Sequence, residues 1–239
     1  MYYPIPRPFA SPRLRARIVI VLLIAFSVVA LGSMLLSITE GLLSITEVKD
    51  PDQDPISFLL VLASWVLLAF QGLLYLTTAV FLMTFLYRAH ENLPALGTSK
   101  NSLQYSSGWM VGSFFVPFVS LVVPYRAVKE LWQCSLPVPE LYPGVSGYLP
   151  DPPAFFAIWW FCWILANIGN NVLFRIDDKS DVPLPWLSAV VNVFEIAAAV
   201  CLILIVRSID QRQAEGKAVL GLGTIAGPPL PPLPPLQNY

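Results

Sequence analysis

The sequence has few charged residues, one histidine and three cysteines. Charged residues make up 12% of the 239 positions and hydrophobic residues 56%, a composition far too apolar for a soluble domain. The net charge of −1 gives no basis for nucleic-acid binding. The cysteines form no CxxC spacing or paired framework, and a single histidine cannot supply a two-histidine zinc site. We therefore expect a membrane protein with no metal, no cofactor and no nucleic-acid partner.

The apolar segments also lack the residue patterns of intramembrane enzymes. Proteases that work inside the bilayer need a serine–histidine pair, paired aspartates or an HExxH motif, and the apolar runs contain none of these. No glycine-rich phosphate loop is present in the sequence either. We therefore expect a protein that is not an enzyme.

Long apolar runs predict transmembrane helices. They cover approximately residues 18–38, 56–87, 154–174 and 186–206. Each is about 20 residues or longer, the length that crosses the roughly 30 Å hydrocarbon core of a bilayer. The Pro/Arg-rich residues 1–17 and the proline-rich residues 218–239 predict disordered cytoplasmic segments. Residues 18–217 are therefore predicted to form a single transmembrane domain.

A shorter apolar stretch, broken by proline, lies within residues 106–133. The part from Trp109 to Pro124 would measure about 24 Å as an ideal helix, and Pro117 removes a backbone hydrogen bond near its middle. If this stretch returns to the side from which it starts, nearly all basic residues are cytoplasmic. The exceptions are Lys49, Arg175 and Lys179. If it crosses, the basic residues divide almost evenly, so the positive-inside rule favours the return.

The predicted fold is therefore all-α. It is a polytopic membrane protein with four transmembrane helices and a proline-broken hairpin that is either re-entrant or interfacial. Both termini are predicted to lie in the cytoplasm.

Polar side chains recur at helical spacing inside the third and fourth spans. The candidate intramembrane polar cluster consists of Asn167, Asn170, Asn171, Asn192 and Glu195. Offsets of three and four residues place the asparagines of the third span on one helical face. Glu195 lies about 13 Å from the outer end of its helix, near the bilayer midplane. We favour a neutral Glu195 that links helices through hydrogen bonds to asparagines; a proton or solute site and an oligomer contact are the alternatives.

The segment from the end of the second run through the hairpin carries a distinctive motif. It reads YRAxxNLxALG and then GWxVGxFxVPFxxLxxPYRAxKELWxxS. This pattern resembles the bacterial family called domain of unknown function 4328, and the resemblance extends over residues 18–207. It implies a multi-pass protein of the bacterial cell membrane and supplies no activity. The motif residues are Arg88, Asn92, Gly97, Trp109, Pro117, Pro124, Tyr125, Arg126, Glu130 and Trp132.

Two functions are compatible with these features. The first, which we favour, is a structural or regulatory membrane module that acts through protein–protein contacts. Its partners would be the lipid bilayer, other membrane proteins or a second copy of the chain. The second is a small oligomeric transporter or proton-coupled carrier that uses Glu195. A carrier should lose activity in Glu195→Gln while remaining folded, whereas a scaffold should tolerate that change.

Overall fold

A computed structural model of the chain describes residues 8–45, 55–136, 150–176 and 184–222. Within these ranges the secondary structure is helical, without strands. The helices are α1 (Arg13–Ile45), α2 (Pro55–Glu91), α3 (Ser107–Gly112), α4 (Val123–Cys134), α5 (Phe155–Arg175) and α6 (Leu184–Val219). The four helices α1, α2, α5 and α6 are long and apolar enough to cross a membrane. This confirms the predicted all-α fold with four transmembrane helices.

The first and last helices are longer than the predicted spans. α6 continues to Val219 because Ile209 and Gln213 extend its buried face past the end of the apolar run. α1 begins at Arg13, so residues 13–17, which were predicted to be disordered, are helical. No pattern in the sequence could show that the side chain of Asn92, far along the chain, binds the backbone of Ala10. We name residues 8–12 the arm. Residues 218–222, the start of the predicted disordered tail, form the end of α6 and the turn after it. Residues 1–7 and 223–239 lie outside the described residues.

The long helices lie in the order α2, α1, α6, α5. α1 and α6 run antiparallel and pack along their whole length. At one end the Arg13 guanidinium lies 3.9 Å from the Asp210 carboxylate, and at the other end a Cβ atom on Gly41 would lie 2.9 Å from the Trp186 ring. We name the end of the bundle near Arg13 and Asp210 the motif end, because the sequence motif lies there. The opposite end, near Gly41 and Trp186, is the loop end.

Gly169 allows the close approach of α5 to α6. A Cβ atom at this position would overlap the side chain of Val191, so any larger residue would push the two helices apart. Small residues at such contacts are typical of membrane helices, whose association depends on van der Waals packing. The contact sets the rotation of α5 about its axis, and this rotation determines which of its asparagines face α6.

The chain between α2 and α5 leaves the motif end and returns to it. Ser107, at the start of α3, lies 3.0 Å from the His90 ring at the end of α2. The chain reverses at residues 113–118, where Phe118 has a positive φ of 63°. α4 then returns, and Trp132 contacts Phe156 at the start of α5 with ring centroids 5.7 Å apart. The proline-broken stretch therefore starts and finishes at the same end of the bundle.

Candidate functional site

A set of hydrogen-bonded polar side chains links all four long helices, and we name it the mid-bundle cluster. Its members are Ser33 of α1, Gln71 of α2, Asn170 of α5, and Asn192 and Glu195 of α6. Glu195 Oε1 accepts from Asn170 Nδ2 at 2.7 Å, and Glu195 Oε2 accepts from Gln71 Nε2 at 2.5 Å. Gln71 Nε2 also lies 3.4 Å from Asn192 Oδ1, and Gln71 Oε1 accepts from the Ser33 hydroxyl at 2.9 Å. Each oxygen of the carboxylate thus has an amide donor from a neighbouring helix.

Only some of the predicted asparagines reach Glu195. Asn170 bonds to it directly, and Asn192 is connected to it through Gln71. Asn167 and Asn171 instead donate to backbone carbonyls one turn earlier in α5, at 2.7 and 2.9 Å. These two residues line a groove beneath the hairpin. The rotation of α5 therefore separates the predicted asparagine face into two environments.

Two members of the mid-bundle cluster are absent from the predicted set. Gln71 is recognisable in the sequence as an isolated amide near the middle of the second apolar run. Ser33 has a weaker signal. It lies one turn before Ser37 on α1, and Ser37 also faces α6, with its hydroxyl 3.3 Å from that of Ser188. A short polar stripe on α1 could therefore have indicated the helix face that meets α6.

A second polar network lies at the motif end and contains the motif residue Asn92. We name the set Ala10, Ala89, Asn92, Ser135 and Gln213 the motif-end network. Asn92 Oδ1 accepts from the Ala10 N–H at 3.2 Å, and Asn92 Nδ2 donates to Ala10 O at 2.9 Å and to Gln213 Oε1 at 3.0 Å. Gln213 Nε2 donates to Ala89 O at 2.7 Å and lies 3.4 Å from Ser135 Oγ. Asn92 is 1% exposed and Gln213 0%, so these bonds join the arm, α2, α4 and α6 away from water.

Trp132 fixes α4 on the bundle. The ring is buried, and its Nε1 donates to Ser208 Oγ at 2.6 Å. The Arg212 guanidinium carbon lies 3.7 Å from the centre of the ring, which is the geometry of a cation–π contact. Through these contacts and that of Trp132 with Phe156, the apolar face of α4 packs against α6 and α5.

Glu130 holds the loop that leads into α3. Its two carboxylate oxygens accept the backbone N–H groups of Gln104 at 2.6 Å and Tyr105 at 3.3 Å. Burial raises the pKa of Glu130, and the two N–H groups oppose this rise because they stabilise the carboxylate. Burial, with a contribution from the charge of Glu130, also raises the pKa of Cys134 to about 11. Cys134 is therefore a thiol at neutral pH and a poor nucleophile.

Several other motif residues have local structural explanations. Gly97 ends a short 3-10 helix with a φ of 94°, a conformation that favours glycine. Pro124 lies in the first turn of α4, where a missing N–H costs little. The Tyr125 ring lies 6.3 Å from that of Trp160. The side chains of Trp109, Pro117 and Arg126 are exposed, and nothing in the described structure explains them or Arg88.

A serine and a histidine also meet at the motif end. Ser107 Oγ lies 3.0 Å from His90 Nδ1 and donates to Glu91 Oε1 at 2.5 Å. In a hydrolase triad the carboxylate bonds the histidine and orients it, whereas here it accepts from the serine. His90 Nε2 is buried and makes no hydrogen bond within the described ranges. The arrangement therefore differs from that of an activated nucleophile.

The described residues contain no group of three or more His, Cys, Asp or Glu side chains that could hold a metal ion. Comparison with curated proteins and with solved structures finds no match. A family model matches residues 56–211, a range that begins in α2, includes the hairpin and ends in α6. It thus covers most of both polar networks. The chain therefore belongs to the family described as domain of unknown function (DUF4328).

Proposed function

We propose that this protein is a non-enzymatic membrane module that acts through contacts with other membrane proteins. The observation that carries this proposal is the loop-end half of α2, where no side chain from Phe58 to Thr77 is buried. Trp65 is 66% exposed and Leu76 is 65% exposed. The other three long helices each bury part of their apolar surface within the bundle, whereas this half of α2 packs mainly on α1.

The exposed surface of α2 has the composition of a protein contact. Lipid tails can cover any apolar side chain, but aromatic residues are enriched at the buried centres of protein interfaces. Trp65 and Leu76 lie on one face of α2 and are exposed, whereas the ring of Tyr75 packs against Phe26 of α1. Membrane helices associate through van der Waals packing, so a partner helix along α2 would bury the Trp65 ring. The surface therefore supports a scaffold that recruits other spans.

Photo-crosslinking in intact cells tests this proposal. We place a photoreactive amino acid at position 65 or 76, and we expect a discrete adduct with another protein or with a second copy of the chain. The matched control is Val28 of α1, which is 63% exposed and should give lipid adducts only. Equal protein adducts at Val28, or none at either α2 position in the folded protein, would contradict the proposal.

We further propose that the motif end faces the cytoplasm of a bacterial plasma membrane and that the hairpin enters the bilayer from that side. The orientation is supported by the basic residues of the motif end, among them Arg13, Arg88 and Arg212. Insertion is supported by the tip of the hairpin, where Phe115 is 74% exposed and Phe118 86%. Water would be an unfavourable environment for two such rings.

Cysteine accessibility tests this orientation. In a variant without the native cysteines, we place single cysteines at positions 52, 101, 126, 178 and 211 and label intact cells with a membrane-impermeant thiol reagent. Positions 126 and 211 carry exposed side chains, so these substitutions preserve the packing. We expect labelling at 52 and 178 only. Labelling at 126 and 211 with protection at 178 would show that the central stretch crosses the membrane.

The alternative is a small oligomeric transporter or proton-coupled carrier that uses Glu195. A carrier must open its site to each side of the membrane in turn. In the mid-bundle cluster the Glu195 carboxylate is held by Gln71 and Asn170 from two different helices, so opening would require these bonds to break. The hydrogen-bonded arrangement gives more support to a structural link, and with it to the membrane module.

A further inference from the structure

A groove of about 460 Å³ runs along the outer surface of α5 beneath the hairpin. Leu121 of the hairpin lies at its inner end, where the Leu121 carbonyl accepts from Trp160 Nε1 at 3.1 Å. From there the groove follows α5 past Ile164 and Ile168 to Arg175. The distance from Ile164 to Arg175 is about 16 Å along the helix. The groove thus extends from the middle of the bundle to the loop end.

The polarity of the groove changes along its length. The inner end is mainly apolar, with Leu121 and Ile164. Asn167 and Asn171 follow on α5, one turn apart, with Ile168 between them. Each amide uses one N–H for a backbone carbonyl, which leaves a second N–H and the amide oxygen for a ligand. The outer end carries the exposed Arg175.

Arg175 can bind an anionic group at the mouth of the groove. Within the described ranges no carboxylate forms an ion pair with it. Guanidinium groups bind phosphate through paired, charge-assisted hydrogen bonds. Exposed amides at membrane depth are costly unless a partner satisfies them. A ligand for this groove therefore has an anionic end, hydrogen-bonding groups next to it, and an apolar chain.

We propose that the groove binds one anionic phospholipid from the bilayer leaflet at the loop end. The phosphate lies on Arg175, the glycerol ester region lies beside Asn171, and one acyl chain follows Ile168 and Ile164 to Leu121. The outer end, with Arg175 and Asn171, matches the headgroup region of a phospholipid, and the mainly apolar inner end matches an acyl chain.

Native mass spectrometry of the full-length protein tests this assignment. We titrate the delipidated protein in detergent with phosphatidylglycerol and expect one tightly retained molecule per chain. Arg175→Gln and Ile168→Trp should each weaken retention about tenfold, since one removes the charge-assisted bonds and the other fills the groove. Ile168 is 55% exposed and Arg175 is exposed, so neither substitution disturbs the core. The matched controls are Arg207→Gln and Ile158→Trp, at exposed positions outside the groove, and these should retain the lipid.

Four results would overturn the proposal. The wild-type protein could release all phosphatidylglycerol, or the two control variants could weaken retention as much as the two groove variants. A zwitterionic lipid could bind as tightly as phosphatidylglycerol, which would remove the role of Arg175. Finally, cysteines placed at position 168 could crosslink two copies of the chain, which would show that the groove holds a second protomer.

Discussion

Replacing Gln213 by alanine should destabilise the purified protein by about 3 kcal/mol. The change removes one of the two acceptors of Asn92 Nδ2, which keeps its bond to Ala10 O, and it removes the side-chain donor to Ala89 O. Two hydrogen bonds of buried groups are thus lost. A small cavity adds to the cost. We expect to measure this loss as a lower free energy of unfolding in a titration with sodium dodecyl sulfate.

The control for this prediction lies on the same helix. Gln211→Ala removes the same type of side chain from an exposed position, and it should change the free energy of unfolding by about 0.5 kcal/mol or less. Asn92→Ala should resemble Gln213→Ala, and the double variant should cost less than the sum of the two single variants because they share bonds. Equal stability of the Gln211 and Gln213 variants would show that the motif-end network contributes nothing.

Glu195→Leu should destabilise the protein by about 2 kcal/mol, whereas Glu195→Gln should cost about 0.6 kcal/mol or less. Leucine removes the acceptor of Asn170 Nδ2 and the closer acceptor of Gln71 Nε2, which keeps only the longer bond to Asn192 Oδ1. Glutamine keeps one oxygen at the same place and can still link two helices. The same unfolding titration measures both variants, and Glu215→Leu at an exposed position of α6 is the control for a lost carboxylate.

The same variants separate the membrane module from the carrier. If Glu195 is a structural link, stability should fall in the order wild type, Gln, Leu, and partner crosslinks at position 65 should persist in Glu195→Gln. If the protein is a carrier, liposomes with the wild-type protein should take up protons along an imposed gradient, and Glu195→Gln should abolish that uptake at unchanged stability. Measured uptake of this kind would contradict the membrane module.

The long helices were predictable because about 20 apolar residues in a row have few alternatives to a transmembrane helix. The ends of these helices were less predictable. Hydropathy marks only the part of a helix that lies in the bilayer, and the helix can continue outside it. α6 extends past Val206 because Ile209 and Gln213 follow the buried stripe that includes Leu202. Read at helical spacing, that stripe would have marked Gln213 as a buried polar residue. The placement of the arm could not be predicted because the side chain of Asn92, just past the end of α2, binds the backbone of Ala10.

The candidate cluster was predictable only in part. The spacing of the asparagines in α5 places them on one face, but the rotation of that face is a tertiary property. It depends on Gly169 packing against Val191, and for this reason Asn170 reaches Glu195 while Asn171 lines the groove. No pattern within one helix contains that information. Gln71 and Ser33 belong to the cluster only because α2 and α1 pack beside α6, and such contacts between helices cannot be read from one helix.

The pairing of α1 with α6 has a consequence for biosynthesis. Among the described helices, α1 leaves the ribosome before the others and packs along its whole length against α6, which leaves it after the others, with Arg13 near Asp210 and Ser37 near Ser188. Roughly 140 residues separate the two helices, and translation of that length takes on the order of ten seconds. During this time α1, whose side chains Val19 and Leu23 are buried in the finished protein, lacks its contact with α6. The bundle therefore closes only when the last span has entered the membrane, and a chain that stops before α6 lacks the partner on which its first helix depends.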